Sequence, residues 1–304
     1  MKRHASGATL LFLSLALILA LLVSACGSAP SSSSKPIVIG SKPFTEGVLL
    51  SELAAQLIEG NTQLKVERKF NLGGTIVAFN ALKNGDLDLY PEYTGTGLVA
   101  ILKQPAVTDS DKAYAIVQRE FNNQFKIKWL KPLGFNNTYA MAVPEELAVQ
   151  HNLKNTSDLA KIVDTLTFGA EQDFFGRVDG YDGFTQAYGF KFKNVKQMEI
   201  GLKYKAIANK EVNVINAFST DGLLITYKLR VLVDDKKYFP PYHGAFLVRI
   251  GALEKYPQLE TVLDKLAGQI TDSEMQKLNF EVDQEKKDPA VVVKTYLKVK
   301  GLVR

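Results

Sequence analysis

A single cysteine, Cys26, occurs in the 304 residues, so the chain can form neither an internal disulfide nor a paired-cysteine metal knuckle. Histidine is almost as scarce. His4, His151 and His243 stand far apart, never at the helical spacing that brings two imidazoles to one zinc, so no metal site is expected. No GxSxG turn occurs, and no histidine accompanies a serine or the cysteine at a spacing that suggests a nucleophile and its base. Charge of one sign is also weak. The 37 Lys and Arg against 32 Asp and Glu give a net charge of +5, too small and too evenly spread to argue for nucleic acid. With 46% hydrophobic and 23% charged residues, the composition is that of a folded globular chain, long enough for one large or two medium domains.

Long apolar runs are absent except at the start. Lys2, Arg3 and His4 form a basic head, Ala8 to Val23 an apolar run, and Ser24 and Ala25 a small-residue end. That order is a secretory leader over residues 1–25. The run is shorter than the roughly 20 residues a spanning helix needs. Val23-Ser24-Ala25-Cys26 resembles the bacterial lipobox, which makes Cys26 the acylated first residue of the mature chain. Attached acyl chains would anchor it to the membrane, each buried methylene contributing about 0.8 kcal/mol. Residues 26–36 then read as a lipidated, Ser/Pro-rich tether. Removing the leader takes Lys2 and Arg3 with it and lowers the net charge to +3.

The body that follows is α/β in pattern. Ile37 to Gly40 is a short apolar run of the buried-strand kind. A helix should follow, capped by Thr45, apolar at Val48, Leu49, Leu53, Leu57 and Ile58, and closed by Gly60. Leu64–Phe70 alternates as a strand, Gly74–Leu82 reads as a helix, and Leu87–Tyr90 is a strand again. This βαβαβ order predicts a mainly parallel sheet covered by helices. A second α/β part opens near Thr138 and includes strands at 166–170, 212–217 and 230–233. After Pro240-Pro241-Tyr242 comes a strand at 245–250, and then helices at 258–267, 273–280 and 289–300. Lys191, Lys193 and Lys196 alternate with apolar residues as on a solvated edge strand.

Ligands of α/β sheets bind at the carboxyl ends of strands. Those positions hold Lys42 and Thr45, then YPEYTGTG (90–97), NNTY (136–139), DFFGRVDGYD (173–182), AFSTDG (217–222) and YFPPY (238–242). Most carry an aromatic ring outside the periodic core pattern that accommodates Phe79. The face of an aromatic ring attracts an alkylammonium by roughly 0.5–2 kcal/mol. Lys42 and Arg177 at the same rim would hold a carboxylate, the arginine with two parallel hydrogen bonds. A ligand with both ends is a zwitterion such as a trimethylated amino acid.

These segments, with IGSKPFTE (39–46), GFNNTYAM (134–141) and DDKKYFPPY (234–242), resemble the glycine betaine/carnitine/choline-binding lipoproteins of osmoprotectant ABC importers, of the ProX and OpuCC type. The resemblance spans residues 36–304. It implies a type II periplasmic-binding-protein fold, an α/β architecture of two lobes with a hinge and an interlobe cleft: lobe 1 over 37–137 and again over 243–304, lobe 2 over 138–242. It further implies an ammonium cage of Tyr93, Tyr139, Phe218 and Tyr242, with Phe218 standing where the family usually has Tyr. A carboxylate site would comprise Lys42, Thr96 and Arg177, with Asn137 at the crossing between lobes. The implied protein is a monomer with no cofactor and no enzymatic activity, which hands a quaternary-ammonium solute to a membrane permease driven by an ATPase. It would work outside the cytoplasm, lipid-anchored to the cell membrane.

Plainer readings stand beside these. Lys42 could be a solvated loop lysine, Arg177 a partner of Asp179 or Asp182, Asp221 a helix cap, Tyr204 a cleft-rim or helix-face residue, and Tyr90 a residue packed in the sheet. Gly95-Thr96-Gly97-Leu98-Val99-Ala100 matches a dinucleotide fingerprint but follows the wrong strand, and reads instead as a loop approaching a ligand. Two rivals remain at this level: an enzyme on the same fold, and a binding protein for choline, carnitine, an amino acid or another cation.

Overall fold

The chain is described over residues 35–303 by a computed structural model. The leader, Cys26 and the tether up to residue 34 lie outside the described residues. Ile37 and Ile39 of β1 (Ile37–Gly40) are fully buried, as an apolar run at a sheet centre requires. Helix α1 (Thr45–Asn61) buries Leu49, Leu50, Leu53, Leu57 and Ile58 on one stripe. Its ends differ from expectation. Phe44 occupies the cap position, and the Thr45 hydroxyl donates instead to Asp283, 2.5 Å away on a distant helix. Gly60 lies inside the last turn, where the Asn61 side chain donates to the Leu57 carbonyl. Tertiary partners have taken over both local end signals.

Strand β2 (Val66–Lys69), α2 (Thr75–Asn84) and β3 (Leu89–Tyr93) complete βαβαβ, with Gly85 in the left-handed conformation at the end of α2. A π-helical turn at Thr96–Ile101, α3 (Ser110–Phe125) and β4 (Ile127–Trp129) follow. The second part contains β5 (Tyr139–Pro144), α4 (Glu145–Gln150), β6 (Thr167–Ala170), α5 (Gln172–Gly176), α6 (Tyr181–Tyr188) and β7 (Asn194–Gln197). It continues through α7 (Lys203–Ala208), β8 (Val214–Phe218), α8 (Leu223–Thr226) and β9 (Leu229–Val231). The chain returns as β10 (Gly244–Arg249), α9 (Ile250–Lys255), α10 (Gln258–Leu263), α11 (Asp272–Asp283) and α12 (Pro289–Val299).

Among the described residues the strands form two five-stranded sheets, ordered β2-β1-β3-β10-β4 and β7-β6-β8-β5-β9. Neither is mainly parallel. β1 pairs in parallel with β2 and β3, but β10 enters antiparallel between β3 and β4. In the second sheet β6 pairs in parallel with β7 and β8, while β5 runs antiparallel to β8 and β9. The physical reason is the return path. The chain passes between sheets twice, and the second passage feeds β10 back along β3 in the opposite direction. The two passages touch: Asn137 N–H donates to the Tyr242 carbonyl at 3.0 Å, and Tyr242 N–H donates to Asn136 Oδ1 at 2.7 Å. Strand β7, with Lys196, is an exposed edge as expected. Among the described residues no helix is long and apolar enough to cross a membrane.

Candidate functional site

A cavity of about 910 Å³ opens where strand ends of the two sheets meet. Lys42, Tyr93, Thr96, Asn137, Tyr139, Arg177, Phe218 and Tyr242, all eight cleft residues singled out in the sequence, line it. Sheet register explains much of this convergence. Tyr139 opens β5 and Phe218 closes β8, and the two are direct antiparallel partners, so their ring centroids are 4.9 Å apart. Tyr93 closes β3, and Tyr242 arrives on the second passage between sheets. The backbone at Gly95 passes so close that a Cβ there would lie 2.7 Å from the Tyr242 ring and 2.9 Å from the Pro241 carbonyl oxygen. Glycine at 95 is therefore a condition for Tyr242 to sit where it does.

The rings form a continuous wall. Tyr242 meets Tyr139 at 5.4 Å, nearly perpendicular, and Tyr139 meets Phe218. Phe218 in turn faces Phe44 at 6.2 Å, and Phe44 meets Tyr93 at 6.4 Å. Behind Tyr139 pack Phe174 and Phe239. Tyr93 donates its hydroxyl to Glu46 and Tyr242 donates to Asp179. Burial, reinforced by these carboxylates, pushes both phenols well above their ordinary range, and burial does the same to Tyr139. All three rings are therefore neutral near pH 7. A phenol that donates to a carboxylate keeps a more electron-rich ring face, which is the surface a cation seeks.

The cations are less free than the sequence suggested. Lys42 is buried rather than solvated, donates to Glu92 at 2.7 Å, and sits 5.1 Å from the Tyr93 ring centroid. Tyr90 points into the sheet core and donates to the same Glu92. Arg177 does pair with Asp179, but in a buried, two-bonded arrangement, not on the surface. A third bond, from Nη1 to Thr96 Oγ1 at 3.1 Å, crosses from one half of the chain to the other. Among the described residues three of the five guanidinium donors are thus hydrogen-bonded, and Asp173 Oδ2 lies 3.9 Å from Nη1, which leaves two donors that a ligand carboxylate could share. Asp179 aims the arginine as much as it neutralises it.

Sequence reasoning missed several cavity neighbours. Phe44 completes the ring wall, and only its place next to Lys42 could have indicated it. Glu171 lines the cavity and accepts from Asn216 and from the fully buried Lys203, whose ammonium lies 4.5 Å from the Phe218 centroid. A resident cation shares that ring's π density, which weakens its pull on a second one. Nothing local in the sequence marks Lys203, because its burial depends on three separate segments. Asp221 does not cap α8 with its side chain. Its carboxylate accepts from the Phe218 N–H and the buried Tyr204 hydroxyl, and neither Asp221 nor Tyr204 lines the ring-walled cavity. Among the described residues no group of three or more His, Cys, Asp or Glu is placed to hold a metal ion.

The chain is similar to known proteins along nearly all of its described length. Residues 35–299 match the family model of the substrate-binding domain of ABC-type glycine betaine transport systems. The chain is 42% identical to the carnitine transport binding protein OpuCC of Listeria monocytogenes, over 94% of each chain. It is 34% identical to a glycine-betaine-binding protein of Pseudomonas aeruginosa, covering 89% of this chain and 90% of that one. A crystal structure described as a glycine betaine/carnitine/choline ABC transporter superposes with a TM-score of 0.73 at 38% identity, over 88% of this chain and 99% of the other.

Proposed function

This chain belongs to the family of substrate-binding domains of ABC-type glycine betaine transport systems, and from that membership we propose that its ring-lined cavity captures glycine betaine or a closely related quaternary-ammonium solute. It is a substrate-binding protein of importers for glycine betaine, carnitine or choline. The observation that carries the finer reading is the wall of five rings, Tyr242, Tyr139, Phe218, Phe44 and Tyr93, with the spare donors of Arg177 beside it. A quaternary ammonium has no N–H to satisfy, so rings and distant carboxylates can hold it without unpaired polar groups. The carboxylate end would lie against Arg177, Thr96 and Lys42.

The lobes would be residues 37–137 with 243–304, and 138–242, closing about the two paired passages. Cys26 would carry the lipid that keeps the protein outside the cytoplasmic membrane, as a monomer beside its permease and ATPase. Binding and release, not chemistry on the ligand, would be its role. Calorimetry on protein freed of bound ligand, against glycine betaine, proline betaine, carnitine and choline, tests the assignment. Absence of heat with all four would sink it. One observation favours choline as a second reading: Lys42 and Arg177 already have carboxylate partners in Glu92 and Asp179. Tighter binding of choline than of glycine betaine would establish that order.

A further inference from the structure

Glu46, in the first turn of α1, is 3% exposed, and among the described residues every hydrogen bond it receives from a side chain comes from an uncharged group. Four donors converge on it from separate parts of the fold. Tyr93 Oη at 2.7 Å and Asn137 Nδ2 at 2.6 Å donate to Oε1. Thr220 Oγ1 at 2.5 Å and Asn279 Nδ2 at 2.9 Å donate to Oε2. A buried carboxylate without a cation is a costly arrangement that an apolar side chain would relieve, so its retention calls for a reason. Two of its donors belong to residues that line the cavity.

Asn137 supplies the second observation. Its Nδ2 is spent on Glu46, while its buried Oδ1 has no hydrogen-bond partner among the described residues. An ionised carboxylate can only accept, so it forces the amide to turn Nδ2 toward itself and Oδ1 away. The unpaired carbonyl oxygen is left on a residue of the cavity wall. Tyr93 is held in the same way, its hydroxyl drawn to the carboxylate and its ring left to the cavity. Thr220 follows β8 and Asn279 lies on α11, so the same group also ties together segments from both sheets' surroundings.

We propose that Glu46 is a positioning residue of the ammonium cage: as a carboxylate it orients the Tyr93 ring and the Asn137 carbonyl oxygen, and it places a negative charge behind the wall that a quaternary ammonium faces. The proposal rests on the cavity being the ligand site. Its consequence is that cation affinity falls as the pH drops and Glu46 takes up a proton, a change that burial brings within reach by holding this carboxyl above its ordinary range. The other titratable groups around it are Tyr93 and Glu92 on β3, Lys42 before α1, Tyr204 on α7, Asp221 after β8 and Asp283 on α11. The Glu46→Gln variant separates Glu46 from all of these.

The test uses tetramethylammonium and glycine betaine as probes, titrated by calorimetry from alkaline to mildly acidic pH into wild type and Glu46→Gln. Wild type should lose affinity on acidification and release protons to the buffer on binding. Glu46→Gln should bind about tenfold more weakly at alkaline pH, with a flatter pH profile and less proton release. A variant that matches wild type in affinity and pH profile overturns the proposal. If wild type binds neither probe, the cavity assignment itself fails instead. Should Glu46→Gln not fold, Tyr93→Phe keeps the ring and removes one donor. Weaker binding with a shifted pH profile then supports the proposal, and wild-type behaviour refutes it.

Discussion

Arg177 illustrates how much one side chain's role depends on which of its donors are already in use. With Nε and Nη2 on Asp179 and Nη1 on Thr96, its planar fork is locked before any ligand arrives. Locking lowers the ordering cost of holding a carboxylate. Replacing it also leaves Asp179 buried beside the rings, where an unpaired negative charge favours a bare cation. Arg177→Ala should therefore weaken glycine betaine by about tenfold or more while leaving choline less affected. Competition titrations with the two ligands check this, and equal losses would remove Arg177 from the carboxylate site. The sequence reading had Arg177 either as a ligand residue or as the partner of an aspartate. The structure shows the pairing with Asp179, buried and two-bonded, and that pairing leaves guanidinium donors that a ligand carboxylate could use.

At the scale of elements, the segment joining β3 to the π-helical turn at Thr96–Ile101 is where backbone shape and site are most closely tied. Glycine 95 leaves only enough room for the Tyr242 ring against the chain. An added methyl must displace either the ring or the Pro241 carbonyl, and overpacking of this kind typically costs about 1–3 kcal/mol. We expect Gly95→Ala to fold with a lowered melting temperature and to bind ligand about tenfold more weakly. A melting scan paired with a titration decides it, and unchanged affinity would mean that Tyr242 does not need this position. The helix at 45–61 was readable from its apolar spacing, but its ends were not. Thr45 and Gly60 carry ordinary end signals that contacts with α11 and the last turn override. The antiparallel entry of β10 was equally hidden, since a strand's own residues do not record which neighbour it will meet or in which direction.

For the molecule as a whole, bonds between the two sheets' surroundings converge on the cleft. Thr96 with Arg177, Thr75 with Asp173, Tyr242 with Asp179 and Thr220 with Glu46 all join residues far apart in sequence. Glu46 also links this arrangement to pH. Burial raises its carboxyl in the folded state, against the opposing pull of its hydrogen bonds from Thr220, Tyr93, Asn279 and Asn137. A raised folded value means that its linked contribution to stability is fully present below the unfolded carboxylate range and is lost as pH rises through the folded value. The difference in unfolding free energy between wild type and Glu46→Gln should accordingly shrink or turn negative as pH increases across that window. Urea unfolding at a series of pH values measures it, and a difference that grows with pH would contradict the assignment.

Local order along the chain was enough to determine the α/β class, most strand and helix positions and the segments that face the cleft, because periodicity and strand-end position are properties of neighbouring residues. The long motifs IGSKPFTE, NGDLDLYPEYTGTG and AFSTDG carried the family and, with it, eight residues that all line one cavity. Tertiary structure alone decided the rest: that Lys42 and Arg177 reach the cavity already paired, that Phe44 completes the ring wall, that Lys203 lies buried against Phe218, and that Glu46 gathers four neutral donors. Each of these depends on which groups from distant segments share a space closed to water. There an unpaired charge is expensive and every donor must find an acceptor, a condition set by the packed fold and by no stretch of sequence on its own.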